Sequence, residues 1–418
     1  METDWYKLDS AGKLYASTVS SRVSTVFRLS VTMYKSINAK FLQEALEETL
    51  EEISSFKVIV KKGFFWYYFE ETKAMPTVSK EHYYPCSNLF FKGRNTFPFR
   101  VLYYNKKISL ELSHMLTDGT GGIEFLKLLV RNYLKKEGVS VSCIKKERNN
   151  FNFDNAFFRY YEKLVPNWQD TLAKAYKLPI RLDKRGVYHV TTGKLKIDSL
   201  KDLARQYQTS ITTYLLALYT EILIDIQEQN SNKKKKPITI NVPVNLRNFF
   251  ESNTLKNFFV SVPVTIDPRL GTYSFEDIIA TISIELKRYL NDKQLKTLIA
   301  RGVRGERNFL LRALPLLVKD WISPMVHAKF GENLYTSSIS NLGIISLENE
   351  LEEHVERFEF YPPPSIGNKI KAGVISYKGD MYITFGNLSN DRLVERMFFR
   401  KLVKEGVQIK IETNRSAY

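Results

Sequence analysis

Between residues 22 and 33 apolar and polar positions alternate, with Val23, Phe27, Leu29 and Val31 on one side, which predicts a strand. The period then lengthens. Over residues 38–53, Phe41, Leu42, Ala45, Leu46 and Leu50 fall on one face of a helix that Asn38 can cap. Residues 56–60 and 64–69, joined by Lys61-Lys62-Gly63, predict a hairpin, and residues 98–113 a second one turning at Asn105-Lys106-Lys107. In the last strand of that hairpin Ile108, Leu110 and Leu112 share a face, and His114 continues the same phase. A helix over residues 119–134 follows, striped by Ile123, Leu126, Val130 and Tyr133.

Residues 137–185 carry less pattern and include a basic stretch at 145–148 followed by Asn149-Asn150. They read as a crossover with one or two helices. Beyond it the style repeats: helices over 197–207 and from Ser210 or Thr212 to near Gln227, a polar basic loop over 230–236, and strands over 238–244 and 258–266. Helical patterns cover 275–290 and 295–317, with breaks expected at Gly302, Gly305 and Pro315. A hairpin over 373–385 turns at Lys378-Gly379-Asp380, and a last helix covers 391–405. The layout is α+β in two lobes: residues 1–165, a crossover over 166–190, and residues 191–418. No short-period repeat and no low-complexity tract interrupts it.

Composition narrows the classes. A chain of 418 residues with 44% apolar and 26% charged residues fits a globular protein of two or three domains rather than a disordered or fibrous one. Its 27 Phe and 24 Tyr can fill more than one core. Lys and Arg exceed Asp and Glu by 62 to 45, a net +17 that draws anions: nucleic acid, membrane phosphates, a phosphorylated cofactor or an acidic carrier protein. No finger, helix-turn-helix or aromatic RNA-binding signature accompanies that charge, so nucleic acid is not indicated. The four consecutive Lys233–Lys236 read as a solvated loop, with attraction of phosphates as the functional alternative.

With only Cys86 and Cys143, neither a disulfide framework nor a cysteine metal site is expected. His82, His189, His327 and His354 lack metal-ligand spacing, so no metal is expected. The start Met1-Glu2-Thr3-Asp4 lacks the basic segment and apolar run of a signal peptide. The longest apolar run, 214–226, is too short for a span and carries Glu221 and Asp225. The expectation is a cytoplasmic protein without a membrane span.

The sharpest local feature is Ser113-His114-Met115-Leu116-Thr117-Asp118-Gly119. A His leaves a strand end, where the sheet fixes its position, and an Asp and a Gly open the helix behind it. The Gly is expected to let the chain turn, and the Asp is favoured as an anion at a helix N-terminus. A neutral imidazole there can take a proton from a hydroxyl or amine. A core His beside an ordinary Asp-Gly turn is the bland alternative.

The surrounding sequence resembles the acyl-CoA-dependent acyltransferase superfamily, which includes chloramphenicol acetyltransferase, alcohol acetyltransferases, wax ester synthases and the condensation domains of peptide synthetases. Its H-H-x-x-x-D-G motif matches His114, Asp118 and Gly119, with Ser113 in place of the first His. Pro98-Phe99-Arg100 precedes it as the family's P-x-R strand does. Asn241-Val242-Pro243-Val244-Asn245-Leu246-Arg247 looks like the P-V-N-L-R segment of the alcohol acetyltransferase and wax ester branch. Asn257-Phe258-Phe259-Val260 follows where that branch has G-N-x-x, with Lys256 for the Gly. Ser340-Asn341-Leu342-Gly343 resembles an S-N-x-G turn, and Trp5-Tyr6-Lys7-Leu8-Asp9 a family start.

The resemblance implies two chloramphenicol-acetyltransferase-like lobes, each a mixed sheet flanked by helices, with a tunnel between them that donor and acceptor enter from opposite faces. It implies acyl transfer, of an acetyl or short acyl group, from a coenzyme A thioester to an alcohol. His114 would be the general base, and Asp118 a structural residue paired with Arg247. Gly119 and Asn245 would support the site, and Ser340 and Asn341 would be oxyanion donors, with Ser337 and Ser338 as competitors. No residues are assigned to coenzyme A, which is a co-substrate rather than a bound cofactor. Alternatives are a condensation-type reaction using a thioester on an acyl carrier protein or an amine acceptor, and a non-catalytic binding protein on the same scaffold. No nucleophile elbow is present, so no covalent acyl-enzyme is expected.

Overall fold

The alternating stretch near the N-terminus forms the middle of a sheet. A computed structural model describes residues 5–19, 24–89, 96–141, 151–163, 172–230 and 234–415. Cys143, the basic stretch 145–148 and Lys233 lie outside them. The strands are β1 (Trp5–Lys7), β2 (Val26–Met33), β3 (Val58–Lys62), β4 (Tyr67–Glu71), β5 (Ser79–Lys80), β6 (Phe99–Tyr104), β7 (Lys107–Ser113), β8 (His189–Lys196), β9 (Ile238–Asn245), β10 (Phe259–Ile266), β11 (Ser337–Ile344), β12 (Val355–Tyr361), β13 (Ile370–Tyr377), β14 (Asp380–Asn387) and β15 (Lys410–Thr413). The helices are α1 (Ser10–Thr18), α2 (Ala39–Glu52), α3 (Gly119–Lys136), α4 (Ala156–Arg159), α5 (Ile197–Gln206), α6 (Ile211–Gln229), α7 (Phe275–Tyr289), α8 (Asp292–Arg307), α9 (Phe309–Ala313), α10 (Leu316–Phe330), α11 (Asn349–Glu352) and α12 (Leu393–Lys404).

The N-terminal half builds a sheet in the order β12-β2-β7-β6-β5 and a small sheet β1-β4-β3. α2 and α3 pack on the larger sheet and bury Leu42, Leu46, Leu126 and Leu129 against Leu29, Val31 and Leu110. The C-terminal half builds seven strands in the order β10-β9-β11-β13-β14-β8-β15. α6 and α7 cover it over a core that includes Leu215, Leu218, Ile240, Val262 and Ile282. α6 is capped by Ser210, which accepts from the Thr213 amide at 3.1 Å, and is buried on most of its circumference. That burial accounts for the apolar run at 214–226. Among the described residues no single helix is long and apolar enough to cross a membrane.

The two halves interlock. β12 leaves the C-terminal half and pairs antiparallel with β2, so the N-terminal sheet takes its edge strand from late in the chain. β13 then returns to the other sheet. A Cβ on Gly373 would lie 2.8 Å from the Phe360 carbonyl oxygen, so only glycine lets these strands pass so closely. The β13–β14 hairpin turns at Lys378 and Gly379, both with positive φ, as a two-residue turn between twisted strands requires.

The structure corrects two expectations. Gly302 and Gly305 do not break a helix, because α8 runs through both; a glycine costs only about 1 kcal/mol there. The interruption falls at Asn308 and Pro315, and α10 continues to Phe330. The first hairpin is shifted, with Phe56 buried in a short 3₁₀ turn and Phe64 and Phe65 left in the exposed turn. Of the crossover, the described residues include one short helix, α4.

Candidate functional site

β7 ends at Ser113, and the chain turns through His114–Thr117 before Asp118 caps α3. Ser113 is sealed in this turn: its hydroxyl bonds Thr25 Oγ1 at 3.0 Å and accepts from the Met115 amide at 3.2 Å. It therefore holds the loop's shape and does not face the site. The His114 amide donates to the Thr25 carbonyl at 3.0 Å.

The imidazole lies between Tyr15 and Phe27, with ring centroids at 4.9 and 4.6 Å, and Phe259 stands at 5.8 Å. Ser113, Met115 and Leu116 are closed to solvent, whereas His114, Tyr15 and Phe259 keep part of their surface accessible. Burial nonetheless pushes the His114 pKa down to about 4. The contacts to Asn257, Asp118 and the Thr117 backbone favour the protonated ring, and the nearby Lys371 ammonium opposes it, but burial outweighs them. At neutral pH the ring is uncharged.

Its tautomer follows from its neighbours. The Asn257 side-chain nitrogen donates to Asp9 Oδ2 and to the His114 carbonyl, both at 2.9 Å. Those bonds turn the amide oxygen toward His114 Nδ1, at 3.4 Å. An amide oxygen can only accept, so Nδ1 carries the hydrogen and the Nε2 lone pair is left as the base. Asp9 also caps α1 through the Gly12 amide and accepts from the Asn257 amide at 3.1 Å. Burial raises its pKa to about 6, against the hydrogen bonds and the Lys256 charge, so it is mostly ionised at pH 7. Replacing Asn257 with Leu frees the ring to rotate and to take either tautomer. The expected result is about a 10²-fold loss of kcat with little change in KM, read from steady-state kinetics.

Asp118 ties the two lobes. One carboxylate oxygen accepts from the Gly121 amide at 3.0 Å. The other accepts from the Phe258 amide and from Arg247 Nη1, each at 2.8 Å. Arg247 also donates to the carbonyls of Thr254 and Lys256, and its main-chain amide and Nη1 reach Asn245 Oδ1. Asn245 in turn donates to Thr120 on α3 at 3.1 Å. Asp118, Arg247 and Asn245 thus stand in one network across the lobe boundary, and the Asn257 that orients His114 adjoins it in sequence through Phe258.

Gly119 lies in the first turn of α3 and does not have positive φ, so conformational freedom is not what the site asks of it. A Cβ there would lie 2.6 Å from Leu342 Cδ2, a side chain that can move. Gly121 is the tighter position, because a Cβ would lie 2.3 Å from Thr117 Oγ1 and 2.4 Å from the Leu255 carbonyl oxygen. Gly121→Ala is expected to cost at least about 2 kcal/mol and Gly119→Ala under about 1.5 kcal/mol, measured by urea unfolding.

The serines of β11 separate by face. Ser337 is buried among Tyr219 and the Ile370 carbonyl, beneath α6. Ser338 and Ser340 share the opposite face, where the register sets Ser338 beside Lys371 and Ser340 beside Gly373. Ser338 donates to the Asn241 carbonyl at 3.0 Å. Asn341 is exposed and engaged with Thr212 Oγ1 and the Gly343 amide, so its amide is not turned to the imidazole. Lys371, whose pKa burial lowers to about 8, was not singled out by the sequence: one Lys in an alternating strand carries no signal. Asp9 and Asn257 lay inside segments that carried the resemblance, without a role attached.

One cavity adjoins these residues and another lies away from them. One of about 480 Å³ is lined by Ala11, Leu14, Trp66, Phe157 and Phe259, so it adjoins the imidazole through the Phe259 ring. A larger one of about 720 Å³ is lined by Arg28, Tyr83, Lys107 and Glu359, and none of its lining residues belongs to the network above. The smaller cavity is the one relevant to His114. Among the described residues no group of three His, Cys, Asp or Glu could hold a metal ion.

No family model and no curated protein matches this sequence. Solved structures do. The first condensation domain of the CDA synthetase superposes with a TM-score of 0.65 at 12% identity, over 96% of each chain. The fold is one this chain shares with condensation domains and an acetyltransferase. A trichothecene 15-O-acetyltransferase from Fusarium sporotrichioides gives 0.60 at 12% identity, covering 96% of this chain and 94% of that one. Polyketide synthase associated protein 5 from Mycobacterium tuberculosis gives 0.57 at 14%, covering 96% and 98%. The two sheets and the helices that flank them are thus the architecture these structures share.

Proposed function

We propose that the chain is an acyltransferase that moves an acyl group from a coenzyme A thioester to an alcohol, with His114 as general base. The observation that carries this reading is the imidazole itself: neutral, tautomer-fixed by Asn257, deep between the lobes and still accessible. Nε2 takes the proton of the acceptor hydroxyl as its oxygen attacks the thioester carbonyl. The tetrahedral oxyanion collapses, the C–S bond breaks, and the departing thiolate takes the proton back from His114. No acyl-enzyme forms. Ser340, on the face that also carries Lys371, is the oxyanion donor of this scheme; Asn341 would have to leave Thr212 to serve. Asp118 and Arg247 position the loop and take no part in proton transfer.

Mass spectrometry of an acyl-CoA panel against alcohols and amines tests the reading. One free thiol released per ester formed supports it; no acyl transfer across the panel overturns it. A second reading, a thioester on a carrier protein, draws on the condensation domains among the similar structures and on the +17 charge. Faster turnover of carrier-bound than of free coenzyme A thioesters would favour it.

A further inference from the structure

An exposed apolar surface lies beside the 480 Å³ cavity. On α10, Leu317, Trp321 and Met325 recur every four residues and form one stripe, 71%, 71% and 54% exposed. The adjoining row, Ile322 and Val326, lines the cavity. The helix therefore shows one apolar stripe to the cavity and another to solvent. α9 adds Phe309 and Leu310, 80% and 74% exposed.

A second segment joins from the other lobe. The Leu316 amide donates to the Phe64 carbonyl at 2.8 Å, and Lys319 Nζ to the Phe65 carbonyl at 2.9 Å. This clamps the β3–β4 turn against the start of α10, with the Phe64 ring 72% exposed. Exposed apolar side chains in such number from two segments exceed the scatter expected on a soluble surface.

The charge around them is one-sided. Residues 301–330 carry six Lys and Arg against two carboxylates. Both carboxylates are engaged within the protein: Glu306 pairs with Lys13 and Ser10, and Asp320 accepts from Tyr67 at 2.8 Å. Arg301, Arg307, Arg312 and, beside the turn, Lys62 are exposed. Aromatic and aliphatic groups ringed by cations suit the interface of an anionic bilayer, where rings sit at headgroup level and cations meet phosphates. An acidic carrier protein would match the cations. The cavity behind the surface favours the bilayer: Lys13, Arg301, Glu306 and Lys319 stand in its wall, but most of that wall is apolar and fits a hydrocarbon chain better than a polar phosphopantetheine arm.

We propose that α9, α10 and the β3–β4 turn seat the protein on an anionic phospholipid surface, from which a lipophilic substrate enters the cavity beside Phe259. The seating stands on this surface alone; the substrate half rests on the acyl-transfer reading above. The test is sedimentation of the full chain with vesicles of neutral phosphatidylcholine, or with about 30 mol% anionic phosphatidylglycerol added. The wild type is expected to partition at least about tenfold more strongly onto the anionic vesicles and to be released by high salt. Leu317→Ser/Trp321→Ser, and separately Phe64→Ser, are expected to lose about tenfold of that partition. These side chains do not line the cavity, so turnover of a short, soluble acyl-CoA and alcohol pair should stay unchanged. Circular dichroism confirms that each variant is folded. Wild type that stays in the supernatant, or variants that bind like wild type, overturns the proposal; so does retention by an acyl carrier protein without retention by vesicles. Vesicle binding without any acyl transfer would sink the catalytic reading and leave the seating intact.

Discussion

Replacing Arg247 with Met is expected to destabilise the protein by about 3–5 kcal/mol and to abolish most activity. The side chains of Arg247 and Asp118 are 12% and 6% exposed, so removing the cation leaves a carboxylate with little water to take its place. Arg247 also satisfies the Thr254 and Lys256 carbonyls, which would lose their donor. Adding Asp118→Asn to Arg247→Met removes the stranded charge. The double variant should therefore be less damaged than the two single losses added together, by about 1–3 kcal/mol. Urea unfolding of the four proteins gives the cycle. Additive losses would show that the pair does not hold the lobes in the way described. The activity loss follows from geometry, since the loop that aims His114 runs directly into Asp118.

The second large effect is on chemistry rather than stability. His114→Ala should lower kcat by about 10³-fold, within the range for loss of a positioned general base. The ring fills space between Tyr15 and Phe27 without anchoring either sheet, so the variant should unfold cooperatively close to the wild-type temperature. Both measurements are needed, because a collapsed variant would lose activity for a trivial reason.

Much of the architecture was legible from pattern. Asn38 capped α2, Ser210 capped α6, and Lys378-Gly379 turned its hairpin, each because a side chain or a positive φ makes a local demand that the sequence must meet. What pattern missed depends on distant partners. β8 reads as His-Val-Thr-Thr-Gly-Lys-Leu-Lys, with little alternation, and is a strand because β14 and β15 flank it. β12 gives no sign that it will join a sheet begun more than 300 residues earlier.

The site divided the same way. His114, Asp118 and Arg247 could be picked out by resemblance, and the fold brings Asp118 and Arg247 into contact. Asp9 and Asn257 could not be given a role, because the hydrogen bonds that orient His114 join residues 248 and 143 positions apart. Gly119 was explained by the wrong property: the limit there is space beside Leu342, not backbone freedom.

The most direct measurement is kcat/KM against pH for acyl transfer by wild type and His114→Ala. With the imidazole pKa lowered to about 4, the neutral base is already populated well below pH 6.5. Asp9, with a pKa of about 6, titrates first, so the profile is also taken in Asp9→Asn; there the rate should fall only as the medium is acidified toward about 4, through protonation of Nε2, and His114→Ala should show a residual rate without that limb. A limb centred at an ordinary imidazole pKa of about 6.5 in Asp9→Asn, or an identical profile at an undiminished rate in His114→Ala, would contradict the account.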